Sequence, residues 1–349
     1  MTTQRMNALL DGFAQVSVAV VGDFFLDYYL VLDAALTEIS LETGLEAYQV
    51  VAKRPSPGAA GTVTNNLTAL ELGKVYAVGF VGSDGEGYEL RRGLAQTGVD
   101  TTYLLERDDQ FTPTYTKPML RDATGTEREL NRLDTKNRQS TPADIEDAII
   151  AQLRASLPHV QAVIVADQVQ ERNLGAITDR VREAVRELAQ ANPDVFFFAD
   201  SRANIGLFRD VMVKPNGFEA ARACGYEGAE QELTARDALD YGSELTRRNA
   251  RPVFVTAGAE GVIVFQEGAA TRVPGIAVPP PVDIVGAGDS CTAGIVSALC
   301  AGASPTQAAA VGNCVASITV QQIGTTGTAS REQVAQRFAE NAQLFAGIE

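Results

Sequence analysis

Short valine-rich runs, each ending in a polar cluster and followed by a stretch of helical character, recur along this chain. Residues 18–21 end in Gly22-Asp23, residues 160–166 in Asp167, residues 195–199 in Asp200-Ser201-Arg202 and residues 253–255 in Thr256-Ala257-Gly258. A strand without polar alternation is buried on both faces, which predicts a parallel sheet covered by helices. The polar groups then gather along one edge, at the C-terminal ends of the strands, where open α/β sheets bind ligands. Helices are expected over residues 88–96, 142–157 (Thr141 as cap, Pro142 first) and 173–191. Two regions break the rhythm. Residues 28–51 carry β-rich segments and no crossover helix, and residues 112–120 and 129–133 read as a hairpin about the polar turn 121–126. Together they predict a small β-sheet lid, inserted at residues 28–54 and 109–134. No internal repeat, low-complexity tract or flexible linker appears, so residues 1–349 are expected to fold as one domain.

Charge and composition narrow the partners. The 349 residues are 45% apolar, ample for a large core, and carry a formal net charge of −15. Nucleic acid and anionic membrane both need a basic face, so neither is an expected partner. Any phosphate must be gripped locally, by backbone amides, a metal ion or a few placed Lys and Arg. Cys224, Cys291, Cys300 and Cys314 show no Cys-x-x-Cys spacing, and three lie in apolar segments, as small core residues of a reducing compartment do. His159 is the only histidine, which excludes a histidine triad or a multi-histidine metal centre. The first apolar run is broken by Asp23 and Asp27, so neither signal peptide nor membrane span is expected, and the expected location is cytoplasmic.

The densest chemistry lies in residues 282–294, which read V-D-I-V-G-A-G-D-S-C-T-A-G. Gly286 and Gly288 flank Ala287, Asp289 follows at once, and residues 290–302 suit a buried helix. A tight glycine turn at the positive end of a helix aims successive N–H groups at an anion. A carboxylate on that turn would be repelled by a phosphate unless it had a task, such as general base for a hydroxyl that attacks it. The alternative is that Asp289 caps the helix. Two further places stay open in the same way. Asp23 and Asp27 could accept hydrogen bonds from two hydroxyls of a polyol, or be solvated loop acids. Gly58-Ala59-Ala60-Gly61 could let a ligand approach a helix start, or only let helix and sheet pack closely.

No G-x-x-x-x-G-K-[ST] loop is present, no G-x-G-x-x-G follows the first strand, and there is no G-x-S-x-G elbow. What remains resembles the ribokinase-like (PfkB) family of carbohydrate kinases over nearly its whole length. Asp283-Ile284-Val285-Gly286-Ala287-Gly288-Asp289-Ser290-Cys291 resembles the family's C-terminal signature D-T-x-G-A-G-D-x-F, and residues 57–67 resemble its N-terminal glycine-rich signature. Gly82-x-Asp84, Lys214-Pro215-Asn216-x-x-Glu219 and Thr256-x-Gly258-x-x-Gly261 follow in family order. Within the family, the likeness runs to the sugar-kinase half of bifunctional ADP-heptose synthase. It is carried by Gly22-Asp23-x-x-x-Asp27-x-Tyr29, Ile39-Ser40, Arg54-Pro55, Thr116-Lys117 and Arg132-Leu133-Asp134. The nucleotidyl-transferring half of that enzyme has no counterpart in these residues.

The resemblance implies an open, mostly parallel α/β sheet with helices on both faces. It also implies ATP-dependent, Mg²⁺-requiring phosphorylation of a hydroxyl on a sugar or sugar phosphate. Asp289 would be the base, and the amides of Gly286, Ala287 and Gly288 the anion hole. Asp27, helped by Asp23, would bind substrate hydroxyls with Gly58, Ala59, Ala60 and Gly61, and Asn66 belongs to the same side. Asn216 and Glu219 would serve the Mg²⁺–triphosphate region, Glu219 through metal-bound water. Thr256, Gly258 and Gly261 would line the nucleotide phosphates and ribose, with Asn313 near the purine. Asp283 and the loop 324–328 resemble segments that hold a monovalent cation, usually potassium. Lys117 and Arg132 would grip a substrate phosphate, or are solvated lid cations. Paired lids would make a homodimer. The chain departs from the glycine-rich signature at Ala59 and Thr62, has a longer turn at residues 70–73, differs from the heptose-kinase lid segment at Glu38 and residues 41–44, and departs again at Thr135-Lys136 and Gln168, all near the sugar side. A nucleoside kinase, or a non-catalytic sugar or nucleotide sensor on the same fold, are the alternatives.

Overall fold

The computed structural model describes residues 1–232, 235–324 and 326–349. The chain enters through α1 (Thr3–Gly12), capped by the Thr2 hydroxyl, and drops into β1 (Ser17–Gly22). Neighbouring residues of β1 feed two different cores, Val18 and Val20 one, Ala19 and Val21 the other. That double burial is why the strand reads as an unbroken apolar run.

One residue later the chain leaves this layer. It runs out along β2 (Phe24–Asp33), forms a ribbon of β3 (Glu38–Ile39) and β4 (Glu46–Ala47), and returns along β5 (Val50–Ala59), antiparallel to β2. Then come α2 (Ala60–Ala69), β6 (Lys74–Gly82), α3 (Gly85–Gln96) and β7 (Leu104–Arg107). A second excursion, β8 (Thr114–Arg121), β9 (Glu127–Glu129) and β10 (Leu133–Thr135), joins the first through β8, which lies parallel to β2. β9 pairs with the far part of β8 and β10 with its near part, so the expected strand 129–133 is two short ones. The strands order β10-β8-β2-β5, with β9 beside β8, as a small sheet off the main layer.

The rest alternates more evenly: α4 (Ala143–Ser156), β11 (Ala162–Asp167), α5 (Asp179–Ala191), β12 (Phe196–Ser201), β13 (Met212–Val213), α6 (Gly217–Ala223), α7 (Ala235–Asn249) and β14 (Val253–Thr256). β15 (Gly261–Gln266) and β16 (Ala269–Pro274) precede α8 (Ala287–Cys300), α9 (Pro305–Thr319) and α10 (Arg331–Glu340). Among the described residues nine strands make the main sheet, in the order β16-β15-β14-β13-β12-β11-β1-β6-β7. Pairing is parallel except at β14, β15 and β16, where four residues between β14 and β15 are too few for a parallel crossover. α1, α2, α8, α9 and α10 cover one face, and α4, α5 and α7 the other.

Several helix starts differ from the sequence expectation. α5 begins at Asp179, not residue 173, because Thr178 supplies the cap to Val181 N–H. α4 begins at Ala143, and the Thr141 hydroxyl donates instead to the Gly175 carbonyl at 2.7 Å. α3 starts at Gly85, capped by Asp84. α8 starts at Ala287, with Gly286 as its cap residue, so Asp289 sits inside the first turn and is not the cap. The cysteines are all free thiols, and no described helix is long and apolar enough to cross a membrane.

Candidate active site

The C-terminal ends of β12, β13 and β14 and the start of α8 enclose a cavity of about 750 Å³. The chain turns into α8 through Gly286, whose φ of 79° is left-handed and suits glycine. The Ala287 N–H donates to the Ile284 carbonyl at 3.2 Å, whereas those of Gly286, Gly288 and Asp289 have no protein acceptor among the described residues. Thr62 and Thr326 pack on the turn, each with a methyl 3.4 Å from where a Cβ on Gly286 would lie.

Behind this turn lies a charged pair to which the sequence motifs give no joint role. Asp200, at the end of β12, accepts the Lys214 ammonium at 3.0 Å and the Thr292 hydroxyl at 2.9 Å on one oxygen. Lys214 is almost wholly buried. Burial works against its charge, but the Asp200 carboxylate more than reverses this, so the side chain stays cationic. Asp289 is pushed up to about 7, first by burial and then by Asp200, with Lys214 and Arg202 pulling the other way. Glu219 is pushed up to about 7 by the same two causes. Glu219 and Asn216 also form a capping box on α6: the Asn216 N–H donates to Glu219 Oε2 and the Glu219 N–H to Asn216 Oδ1, both at 2.8 Å.

A second cavity, of about 270 Å³, lies between the small sheet and the main one and is lined by Asp23, Tyr115, Arg132 and Lys136. Gln168 and Arg202 line both cavities and so mark where they meet. Arg132 is held by Asp134 at 2.6 Å and lies over the Tyr115 ring. Asp27 lies within β2 and is buried, which removes the solvated-acid alternative. Its Oδ1 receives the Lys117 ammonium at 2.7 Å, and that ammonium also donates to the Tyr29 hydroxyl at 3.1 Å. Burial works against the Lys117 charge and Asp27 outweighs it, holding the ammonium above its ordinary value. Gly58 faces Asp27 so closely that a Cβ there would fall 2.5 Å from Oδ2. Asp23 is buried too, and takes three backbone N–H groups.

The first cavity thus gathers Asn216, Glu219, Thr256, Gly258, Gly286, Ala287, Gly288 and Asp289. Other expected residues lie elsewhere. Asn66 is fully buried in α2 and donates to the Thr62 and Gly327 carbonyls at 3.0 and 3.4 Å. Ala60 and Gly61 form the buried first turn of that helix, and Ala59, just before it, has a φ of 54°. Gly261 permits the β15–β16 pairing, since a Cβ would meet the Val273 carbonyl oxygen at 2.2 Å. Asn313 ties α9 to β16 through the Val273 and Pro274 carbonyls. Asp283 accepts the N–H groups of Val285 and Gly324, each at 3.0 Å. Thr325, within the loop 324–328, lies outside the described residues.

The profile of the pfkB family carbohydrate kinases matches residues 18–332. The bifunctional protein HldE of Caulobacter sp. (strain K31) is 30% identical over 339 residues, 95% of this chain, and the chain spans only 64% of that relative's length. Arabidopsis thaliana ribokinase, solved with ribose and ATP, superposes with a TM-score of 0.65 at 19% identity, covering 92% of this chain and 98% of its own. Phosphofructokinase-2 of Escherichia coli, solved with potassium, gives 0.68 at 18% identity over 94% and 99%. The glycine turn with its acid, the two meeting cavities and these matches give one conclusion: the chain belongs to the pfkB family of carbohydrate kinases.

Proposed function

We propose that this sugar kinase transfers the terminal phosphoryl group of ATP to a hydroxyl of a sugar or sugar phosphate, in the manner of a heptose-7-phosphate kinase. The observation that carries the reading is the place of Asp289, beside free backbone N–H groups in the cavity that meets the sugar-side one at Arg202 and Gln168. Asp289 takes the proton of the attacking hydroxyl, for which a carboxyl near 7 is well matched. The N–H groups of Gly286 and Gly288 stabilise the charge of the phosphoryl group in flight. The Ala287 amide joins them only if its bond to Ile284 opens. Lys214, held by Asp200, keeps a fixed positive charge behind the turn. Asn216, Thr256 and Gly258 border the nucleotide.

Among the described residues no group of three or more acids, histidines or cysteines is set to hold a metal. That fits a Mg²⁺ carried mainly by the triphosphate, with Glu219 reached through water; when bound it neutralises phosphate charge. Asp283 and the neighbouring loop would border a potassium ion. On the sugar side, Asp27 takes hydroxyls. Arg132, Lys136 and Arg202 face a cavity suited to a substrate that already carries a phosphate.

The test is ADP release with Mg²⁺ and potassium against heptose 7-phosphate, fructose, fructose phosphates, ribose and nucleosides. Turnover of a phosphorylated sugar, with unphosphorylated ones at least about tenfold poorer, is expected from a charge-assisted phosphate contact. ATP binding without turnover of any acceptor would point to a sensor instead.

A further inference from the structure

Asp23 is the single residue between β1 of the main sheet and β2 of the small one. Every hydrogen-bonding part of it is already engaged. Its N–H donates to the Ala166 carbonyl at 3.1 Å. Its carbonyl accepts the N–H of Ala60 at 3.0 Å, where the chain comes back from β5 into α2. The carboxylate is 4% exposed. Oδ2 accepts the N–H groups of Gln168 and Val169 at 2.8 and 2.9 Å, and Oδ1 accepts that of Ala176 at 2.6 Å. A Cβ on Gly175 would fall 2.5 Å from Oδ1, so the segment closes tightly on this side chain.

Both ends of the segment 168–176 therefore converge on one carboxylate. Thr141 holds the same segment from outside, donating its hydroxyl to the Gly175 carbonyl and its N–H to the Asn173 carbonyl. The segment carries Gln168, which lines both cavities, and Glu171, whose carboxylate lies 3.9 Å from Lys136 beyond β10. Charge-assisted bonds from backbone N–H groups to a buried carboxylate are strong and directional. Three of the carboxylate's roughly four acceptor positions are thus filled by backbone donors, and displacing any of them would leave a buried N–H unpaired. Asp27, by contrast, takes side-chain partners, and Gly58, diagonal to it across the β2–β5 pair, has no side chain to crowd Oδ2.

We propose that Asp23 is a positioning residue. It pins the point where the two sheets join, and with it the segment 168–176, which walls the second cavity and reaches the first through Gln168, and it leaves the sugar hydroxyls mainly to Asp27. An amide in its place has one acceptor oxygen, and its NH₂ would face a backbone N–H, so Asp23→Asn can keep at most two of the three bonds.

The deciding measurement is amide hydrogen exchange on the full chain without ligands, for the wild type, Asp23→Asn and Asp27→Asn. The wild-type amides of Gln168, Val169 and Ala176 should be protected. Exchange across 168–176 should rise at least about tenfold in Asp23→Asn, and stay at the wild-type rate in Asp27→Asn. This arm needs no turnover, so it survives a failure of the kinase reading. The second arm rests on that reading. Asp23→Asn should lower kcat and raise the KM of both sugar and ATP, since the displaced wall lines the sugar-side cavity and its Gln168 lines both, with kcat/KM down about 10²-fold. Asp27→Asn should act chiefly on the sugar KM. Rapid exchange of those three amides in the wild type would overturn the proposal even if the variant failed to fold. So would an Asp23→Asn protein with wild-type exchange and a raised sugar KM alone.

Discussion

Burial and the neighbouring Asp200 push the Asp289 carboxyl up to about 7 from 3.8, and that shift acts in opposite senses on turnover and stability. The base form appears only as pH rises through 7, so turnover should climb through that range and level off above it. The folded state binds the extra proton between 3.8 and 7, so this group's effect on stability worsens as pH rises through that window. Asp289→Asn removes the titration. The variant should lose about 10²–10⁴ in kcat while melting at a higher temperature than the wild type at pH 8, as read by ADP release and calorimetry. Ala59 offers a quieter case. Its φ of 54° and ψ of −117° belong to glycine territory. The strain costs about 1–3 kcal/mol and glycine's added unfolded-state entropy about 0.5–1, so Ala59→Gly should gain about 1 kcal/mol in urea unfolding.

At the scale of elements, α6 shows how one short helix serves both fold and site. Its capping box ties Asn216 and Glu219 backbone to side chain in both directions. Asn216→Ala should cost about 1 kcal/mol by denaturant melting, and raise the ATP KM because Glu219 loses its fixed place. Much of this level is legible in the sequence. The strands are visible because burial on both faces leaves unbroken apolar runs such as residues 18–21. The turn into α8 is visible because the left-handed φ of Gly286 favours glycine, although the helix itself begins at Ala287, three residues before the expected start. What hides is whatever depends on partners far along the chain. Thr141 precedes a proline and an acid-rich run, which reads as a helix cap, yet its hydroxyl is taken by Gly175. Asp200 and Lys214 look like separate strand ends until β12 and β13 bring them within 3.0 Å. Asp23 reads as a ligand-binding acid because nothing local shows that the segment after β11 folds back onto it.

The molecule as a whole leaves one region open that a lone copy has no reason to keep. Ile39, Leu41, Leu45, Tyr48, Val50 and Val51 are all exposed along β3, β4 and the start of β5. Contiguous apolar surface of this kind marks an interaction site, and isolated apolar residues do not. The paired-lid homodimer expected from the sequence would cover it, since a twofold contact brings each patch against its own copy. The charge of the chain tests this more sharply than mutation alone. Each copy carries −15, and Glu38, Glu42 and Glu46 are exposed in the same stretch of chain. Two copies pairing through apolar side chains must bring those like charges together, so added salt should strengthen the dimer by screening them. A dimer held by ion pairs would weaken instead. Light scattering at micromolar concentration should therefore show a dimer that tightens between about 10 and 150 mM salt, where the Debye length falls from about 30 to 8 Å. Leu41→Asp with Val51→Asp should yield a folded monomer at both salts. A wild type that stays monomeric at both would remove the dimer, and a dimer loosened by salt would move the contact away from this patch.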